Sequence, residues 1–205
     1  MKGLFISFEG IDGSGKSTQV DLLAKYLIKE KKPIVKTEEP GGTKGSNEIR
    51  KILLRENNFQ WSVETETLLF MAARVDHVEK VIKPAIKDNK IVLCDRFMDS
   101  TIVYQGMRSA RAKKLSLNLF ELIAINPDIT FLIDMDPKIA LNRALNRATE
   151  EDRFENYGIN FQNDLRKNFL DIANKQRDRI KVIDGDQSPE NIAAQIIESV
   201  NNLIP

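Results

Sequence analysis

The sequence predicts an α/β fold, a five-stranded parallel sheet covered by helices on both faces, and three observations predict it. Short apolar runs alternate along the chain with longer segments of helical period. A glycine-rich junction, Gly10-Ile11-Asp12-Gly13-Ser14-Gly15-Lys16-Ser17, joins the first apolar run to the first helical segment. The 205 residues suffice to bury a sizeable core and fall in the usual range for one domain.

Taken in order, the strand candidates are residues 4–8, 33–37, 91–94, 129–133 and 180–183. Between them, Val20, Leu23, Ala24 and Leu27 recur at helical spacing, as do Leu68, Leu69, Ala72 and Val75. Both sets are expected to be helix faces turned to the sheet. Ser188 is expected to cap a last helix with Pro189 at its first position, followed by the stripe Ile192, Ile196, Val200 and Leu203. No repeat, low-complexity tract or linker divides the chain, so residues 1–205 read as one domain. The polar stretch 146–158, NRATEEDRFENYG, has little apolar content to anchor it and is expected to be a mobile, solvated segment.

Lys+Arg 31 against Asp+Glu 30 gives a net charge of +1, so no bulk electrostatic pull toward nucleic acid or an anionic membrane is implied. Any basic site must be local. No window approaches the run of about 20 apolar residues needed to span a bilayer. Cys94 is the single cysteine and cannot form an internal disulfide. The apolar start of the chain is too short for a signal peptide. A soluble protein of a reducing cytoplasm is expected.

Residues 10–17 match G-x-x-x-x-G-K-[ST], with a strand before and an amphipathic helix after. Glycines let successive backbone N–H groups converge on phosphate oxygens, and the helix N-terminus adds its positive dipole end. Lys16 would then bridge the β- and γ-phosphates of ATP, while the Ser17 hydroxyl would help hold Mg²⁺. Gly10, Ile11, Asp12, Gly13, Ser14, Gly15, Lys16, Ser17 and Thr18 form this candidate cradle. The apolar run Ile91-Val92-Leu93-Cys94 ends in Asp95 and Arg96. A carboxylate at the carboxyl end of a buried parallel strand lies beside such a loop and can orient Mg²⁺, so Asp95 is the candidate. A strand-terminating ion pair with Arg96 is the alternative. The loop alone fits kinases, GTPases, motor ATPases and ligases. An N-K-x-D guanine motif and an arginine-rich nucleic-acid surface are both lacking, which favours small-molecule phosphoryl transfer.

The chain resembles the thymidylate kinases in five separate places, and the resemblance covers roughly residues 4–185. These are FEGIDGSGKST (8–18), EEPGGT (38–43), LLFMAAR (68–74), DRFMDSTIVYQG (95–106) and DRFE (152–155). The resemblance implies a three-layer nucleoside-monophosphate-kinase-like fold with a short lid at about 146–158, and transfer of the γ-phosphate of ATP to dTMP with Mg²⁺. It further implies that Phe70 stacks on the thymine ring and that Arg74, one helical turn on, reaches a base carbonyl. Positions i and i+4 share a helix face, which fits this pairing, although Phe70 alone would pass for core.

The same resemblance makes Arg96 the clamp on the acceptor phosphate, Thr101 and Gln105 polar readers of the base, and Tyr104 a wall under the sugar. Asp12 is similar to an acidic residue that accepts a hydrogen bond from the 3′-hydroxyl. Glu38 and Arg50 resemble further acceptor-side residues. Family members place a catalytic arginine either in the loop or in the lid. Here residues 11–14 hold no arginine, whereas the lid carries Arg147 and Arg153. Arg143 lies against adenine by resemblance, or pairs with Glu150 or Glu151. Where the family often has tyrosine or histidine, this chain has Phe97, which suits packing alone. A homodimer is expected by resemblance, with residues 64–87 a candidate face. Rival readings are another nucleoside-monophosphate or deoxynucleoside kinase, and a nucleotide-dependent switch without turnover.

Overall fold

A computed structural model of the chain describes residues 2–54, 61–146, 154 and 157–204. In chain order the elements are β1 (Leu4–Glu9), α1 (Lys16–Lys29), β2 (Ile34–Glu38), α2 (Lys44–Leu54), α3 (Val63–His77), α4 (Lys83–Lys87), β3 (Ile91–Asp95), α5 (Met98–Tyr104), α6 (Ala110–Ile123), β4 (Ile129–Asp134), α7 (Pro137–Leu145), α8 (Gly158–Lys175), β5 (Ile180–Asp184) and α9 (Pro189–Asn201). A π-helical turn over Val78–Ile82 joins α3 to α4. The five strands form one all-parallel sheet in the order β2-β3-β1-β4-β5. The predicted sheet is therefore present.

Each strand runs one residue beyond its predicted end, onto an acid: Glu9, Glu38, Asp95, Asp134 and Asp184. Apolar content marks burial, whereas the hydrogen-bond ladder continues past the last apolar side chain. The carboxyl edge of the sheet consequently carries a row of carboxylates. At the other end β2 begins at Ile34 rather than Pro33, because proline has no N–H to give the ladder. Its carbonyl still accepts from the Ile91 N–H at 2.9 Å.

Strand alternation divides the core. Ile6 and Phe8 of β1 face α1 and α9, packing with Val20, Leu23, Ala24 and Leu27 and with Ile192, Ile196 and Val200. Both predicted stripes are thus buried as far as Val200, while Leu203 is exposed. Ser188 caps α9 as expected, accepting from the Asn191 N–H at 3.2 Å. Phe5, Ser7 and Glu9 alternate onto the opposite face, where Phe5 packs with Met71, Val78, Val92, Phe97 and Met98.

The stripe read on α3 is corrected. Leu68 and Val75 are 49% and 46% exposed, and Ala72 is exposed with them. The buried face instead carries Glu66, Thr67, Met71, Ala73, Arg74 and His77. Apolar periodicity misses such a face because its polar groups are satisfied internally by hydrogen bonds rather than by water. Among the described residues no helix is long and apolar enough to cross a membrane.

Candidate active site

The chain leaves β1 through glycines that other residues could not replace. Gly13 has φ +80°, and a Cβ there would sit 1.9 Å from the Ala140 carbonyl oxygen of α7. Gly15, at φ +98°, would place its Cβ in open space, so conformation rather than crowding demands glycine. Lys16 opens α1, and its Nζ donates to the Ile11 carbonyl at 2.8 Å. Burial first, then the nearby Arg96 charge, pushes the Lys16 ammonium down to about 8, against opposing pulls from Asp12, Asp95 and Glu9. The Ser17 hydroxyl donates to Asp95 Oδ2 at 2.5 Å, tying α1 to the end of β3.

Across the cleft, Arg96 follows Asp95 with φ +67°, a left-handed conformation that a non-glycine residue holds only when its surroundings enforce it. Its guanidinium donates to the Gly10 carbonyl at 3.0 Å, to Ser100 Oγ at 2.9 Å, to the Tyr104 hydroxyl at 3.2 Å and to Asp12 Oδ1. The Tyr104 hydroxyl donates in turn to Asp12 Oδ2 at 2.6 Å. Burial alone would raise the Asp12 carboxyl. The Arg96 and Lys16 charges and the Tyr104 hydrogen bond outweigh it and hold Asp12 down at about 2. Asp12 is therefore ionised at neutral pH.

A second group lies beside this one. Arg74 Nε donates to Glu39 Oε2 at 2.6 Å, while Nη2 donates to the Phe97 carbonyl and Thr101 Oγ1, each at 3.0 Å. The guanidinium lies 5.2 Å from the Phe97 ring centre. Glu39 Oε1 meets His77 Nδ1 at 2.9 Å, and His77 Nε2 meets Thr37 Oγ1 at 2.7 Å. Because the carboxylate can only accept, Nδ1 carries the proton facing it. Gln105 Nε2 donates to Glu66 Oε1 at 2.7 Å, and Arg108 donates to the same oxygen at 2.8 Å. Glu38 and Arg50 pair at 3.1 Å, with Arg50 also donating to the Pro40 carbonyl at 2.8 Å.

Apart from Thr37, Glu66, His77 and Arg108, which lie behind them, these side chains line one cleft of about 270 Å³, which also takes in Phe70 from α3 and Phe154. It is lined by the glycine loop with Lys16, Ser17 and Thr18, by Thr101 and Tyr104 of α5 and by Gln105 just after that helix. Ser17 and Asp95 offer hard oxygen donors of the kind Mg²⁺ prefers. Among the described residues no group of three or more His, Cys, Asp or Glu could hold a metal by itself. The Ser17 and Asp95 oxygens fit Mg²⁺, an ion that is usually bound through one or two protein oxygens with the rest of its shell from substrate and water.

The sequence model of one family, described as thymidylate kinase, matches residues 8–196. The chain belongs to the thymidylate kinase family. Among its relatives, the thymidylate kinase of Ruegeria pomeroyi is 47% identical over 199 residues, covering 97% of this chain and 94% of that protein. The thymidylate kinase of Dinoroseobacter shibae is 49% identical over 196 residues, covering 95% of each. A crystal structure of thymidylate kinase from Ehrlichia chaffeensis superposes with a TM-score of 0.77 at 36% identity, covering 98% of this chain and 99% of that one.

For this thymidylate kinase family member, the structure gathers most of the residues singled out from sequence into the cleft. Asp12, Gly13, Gly15, Lys16, Ser17, Thr18, Glu38, Arg50, Phe70, Arg74, Asp95, Arg96, Thr101, Tyr104 and Gln105 all line it. Gly10, Ile11 and Ser14 do not; they lie behind the loop, where the Ile11 and Gly10 carbonyls hold Lys16 and Arg96. Arg143 is exposed on α7 and reaches Met135 Sδ at 3.5 Å. Arg147 and Arg153 lie outside the described residues, as does most of the stretch 146–158.

One part of that stretch corrects the reading of it as unanchored. Phe154 is only 7% exposed, and its ring packs edge-on to Tyr104 at 5.1 Å. A single aromatic residue in a polar segment leaves no periodicity to detect. Sequence reasoning also missed Glu39, Ser100 and Glu9. Glu39 stood in the quoted EEPGGT, where a second acid beside Glu38 was the available signal.

Proposed function

We propose that the protein transfers the γ-phosphate of ATP to dTMP with Mg²⁺, giving dTDP and ADP. The observation that carries this reading is the cleft itself. The loop suited to a nucleoside triphosphate and the Arg96 and Tyr104 side chains suited to a nucleoside monophosphate, joined through Asp12, line one cleft of about 270 Å³. On this reading Lys16 sits on the β- and γ-phosphates, and Ser17 and Asp95 hold the ion. Bound there, Mg²⁺ would supply positive charge that offsets the charge of the phosphates.

Arg96 then takes the dTMP phosphate, Asp12 accepts from the 3′-hydroxyl and Tyr104 closes the space beside C2′. Phe70 stacks on thymine, with Arg74, Thr101 and Gln105 reading its polar edge and Glu38 and Arg50 flanking the acceptor. Arg143 lies against adenine. Transfer needs no general base, because the acceptor phosphate is already an oxyanion; positioning and charge stabilisation carry the reaction. The loop interior holds no arginine. Arg147 and Arg153 supply the positive charge at the transferring group, and the burial of Phe154, the next residue after Arg153, supports that role.

The whole chain, 1–205, works as one kinase domain in the cytoplasm. It does so as a homodimer through α3, whose exposed Leu68, Ala72 and Val75 supply an apolar face. ADP release followed by a coupled assay across dTMP, dUMP, dGMP and AMP tests the activity. Turnover highest with dTMP and abolished by chelating Mg²⁺ is expected. Equal turnover with the purine monophosphates would overturn the reading.

A further inference from the structure

Arg96, Thr101, Tyr104 and Gln105 all belong to one short stretch, and the first amides of that stretch are held by a residue distant in the chain. The residue before α5 is Phe97, whose side chain makes no capping hydrogen bond. The acceptor that serves it comes from 88 residues away. Glu9, the last residue of β1, alternates onto the face of the sheet where α5 packs. Its Oε1 accepts from the Phe97 N–H at 2.8 Å and the Ser100 N–H at 3.3 Å, and its Oε2 accepts from the Ser100 hydroxyl at 2.5 Å. The Ser100 hydroxyl in turn accepts from Arg96 Nη1 at 2.9 Å.

We propose that Glu9 is the positioning residue for the acceptor side of the site. It holds residues 96–100 in the conformation that turns Arg96 and the working face of α5 into the cleft. A second observation supports this. Arg96 occupies a left-handed conformation, and the amide directly after it is the one Glu9 grips most closely. Besides its guanidinium bonds to Gly10, Asp12 and Tyr104, Arg96 is held at its backbone, where its own N–H donates to the Phe8 carbonyl at 2.9 Å and the next amide donates to Glu9, and its guanidinium reaches Glu9 through Ser100. Glu9 itself is buried and does not line the cleft, so it touches no substrate. A carboxylate kept buried for these contacts is raised to about 7, first by burial and then by the Asp99 charge, against opposing pulls from Ser100, Arg96 and the Phe97 amide. Asp99 is held by Arg179 through a two-point pair at 2.9 and 2.8 Å.

This inference rests on the reading of Arg96 as the clamp on the acceptor phosphate, and the experiment separates the two. Steady-state kinetics are measured at pH 8 on Glu9→Ala, Glu9→Gln, Ser100→Ala and Arg96→Ala, varying dTMP and ATP separately. Glu9→Ala is expected to raise the KM for dTMP about tenfold or more while the KM for ATP stays within about twofold. Glu9→Gln is expected to recover most of the loss, because its amide oxygen still accepts from both backbone N–H groups. An unchanged dTMP KM in Glu9→Ala, or an equal rise for both nucleotides, overturns the proposal. Should Glu9→Ala fail to fold, Ser100→Ala decides. It leaves both backbone contacts to Glu9 and removes the relay to Arg96 from a residue that also lines the cleft, so a dTMP-specific rise of about threefold that disappears in an Arg96→Ala background supports the proposal, and no rise, or the same rise in that background, refutes it. If Arg96→Ala leaves the dTMP KM unchanged, the reading of Arg96 fails. If it raises that KM while the Glu9 variants do not, only the positioning role fails.

Discussion

Glu39→Ala is expected to be among the most damaging single changes in the protein, though it deletes one small acid at the edge of the cleft. Arg74 is 3% exposed, and among the described residues Glu39 supplies its one carboxylate contact, at 2.6 Å. The guanidinium's other partners among those residues are the Phe97 carbonyl, Thr101 Oγ1 and the Met71 and Met98 sulfurs, none of which carries charge. Two unit charges about 4 Å apart attract by about 4 kcal/mol at an effective dielectric of about 20. Breaking a buried pair from one side costs about 3–5 kcal/mol, because the survivor stays buried and unpaired. His77 Nδ1 loses its acceptor in the same step. For a chain of this size each kcal/mol moves the melting temperature by about 2–4 °C, so a fall on the order of 10 °C is expected. Urea unfolding of Glu39→Ala, Arg74→Met and the double variant measures the pair directly. The double variant should be clearly more stable than the sum of the two single losses implies, since it no longer buries a lone charge. A loss below about 1 kcal/mol for Glu39→Ala, or strict additivity in the cycle, would refute the assignment of Glu39 as the counter-ion that keeps Arg74 in place.

Lys16→Met should cut kcat by about a hundredfold or more in the coupled assay, the scale of losing one preorganised electrostatic contact. Tyr104→Ala should raise the ratio of ribo-TMP to dTMP turnover, whereas Tyr104→Phe, which keeps the ring, should leave that ratio unchanged. The Arg147→Ala, Arg153→Ala double variant should lose about 10³-fold in kcat with the dTMP dissociation constant nearly intact, read by single-turnover kinetics and titration. Glu9 sets a pH dependence of stability. Its carboxyl is raised from 4.5 to about 7 in the fold, so the folded state binds the extra proton between those values. The stability this contributes is complete below about 4.5 and lost as pH rises through about 7. Glu9→Gln, which never ionises, should therefore gain on wild type by an amount on the order of 3 kcal/mol between pH 4 and pH 8 in chemical denaturation.

What was legible in the sequence and what was not divides along a physical line. The strands and the α1 and α9 faces were read from apolar runs, because burial against a sheet selects residue by residue for hydrophobicity and leaves a local period. Residues 10–17 were legible because a phosphate-shaped turn demands glycine at fixed offsets, as Gly13 against the Ala140 carbonyl shows. The face of α3 was misread for the converse reason. Its inward side carries Glu66, Arg74 and His77, which find partners outside the helix, and Thr67, which donates back to the Val63 carbonyl; Leu68, Ala72 and Val75 are left outside.

Glu9 and Glu39 mark where local pattern stops being informative. Glu9 is an acid just past an apolar run, as are Asp134 and Asp184, and Glu39 follows Glu38, the last residue of β2. Nothing in the neighbouring letters separates an acid that caps a distant segment from one that pairs across the surface, as Asp134 does with Arg166 at 2.6 and 2.8 Å. The strand order makes the difference. β1 lies between β3 and β4, so the acid ending β1 meets the chain as it leaves β3, while Asp134 lies farther out, beside α8. A buried acid can therefore be assigned its work only after the topology says which unpaired N–H groups surround it. At the end of β1 those belong to Phe97 and Ser100, on the stretch that carries the acceptor side of the cleft.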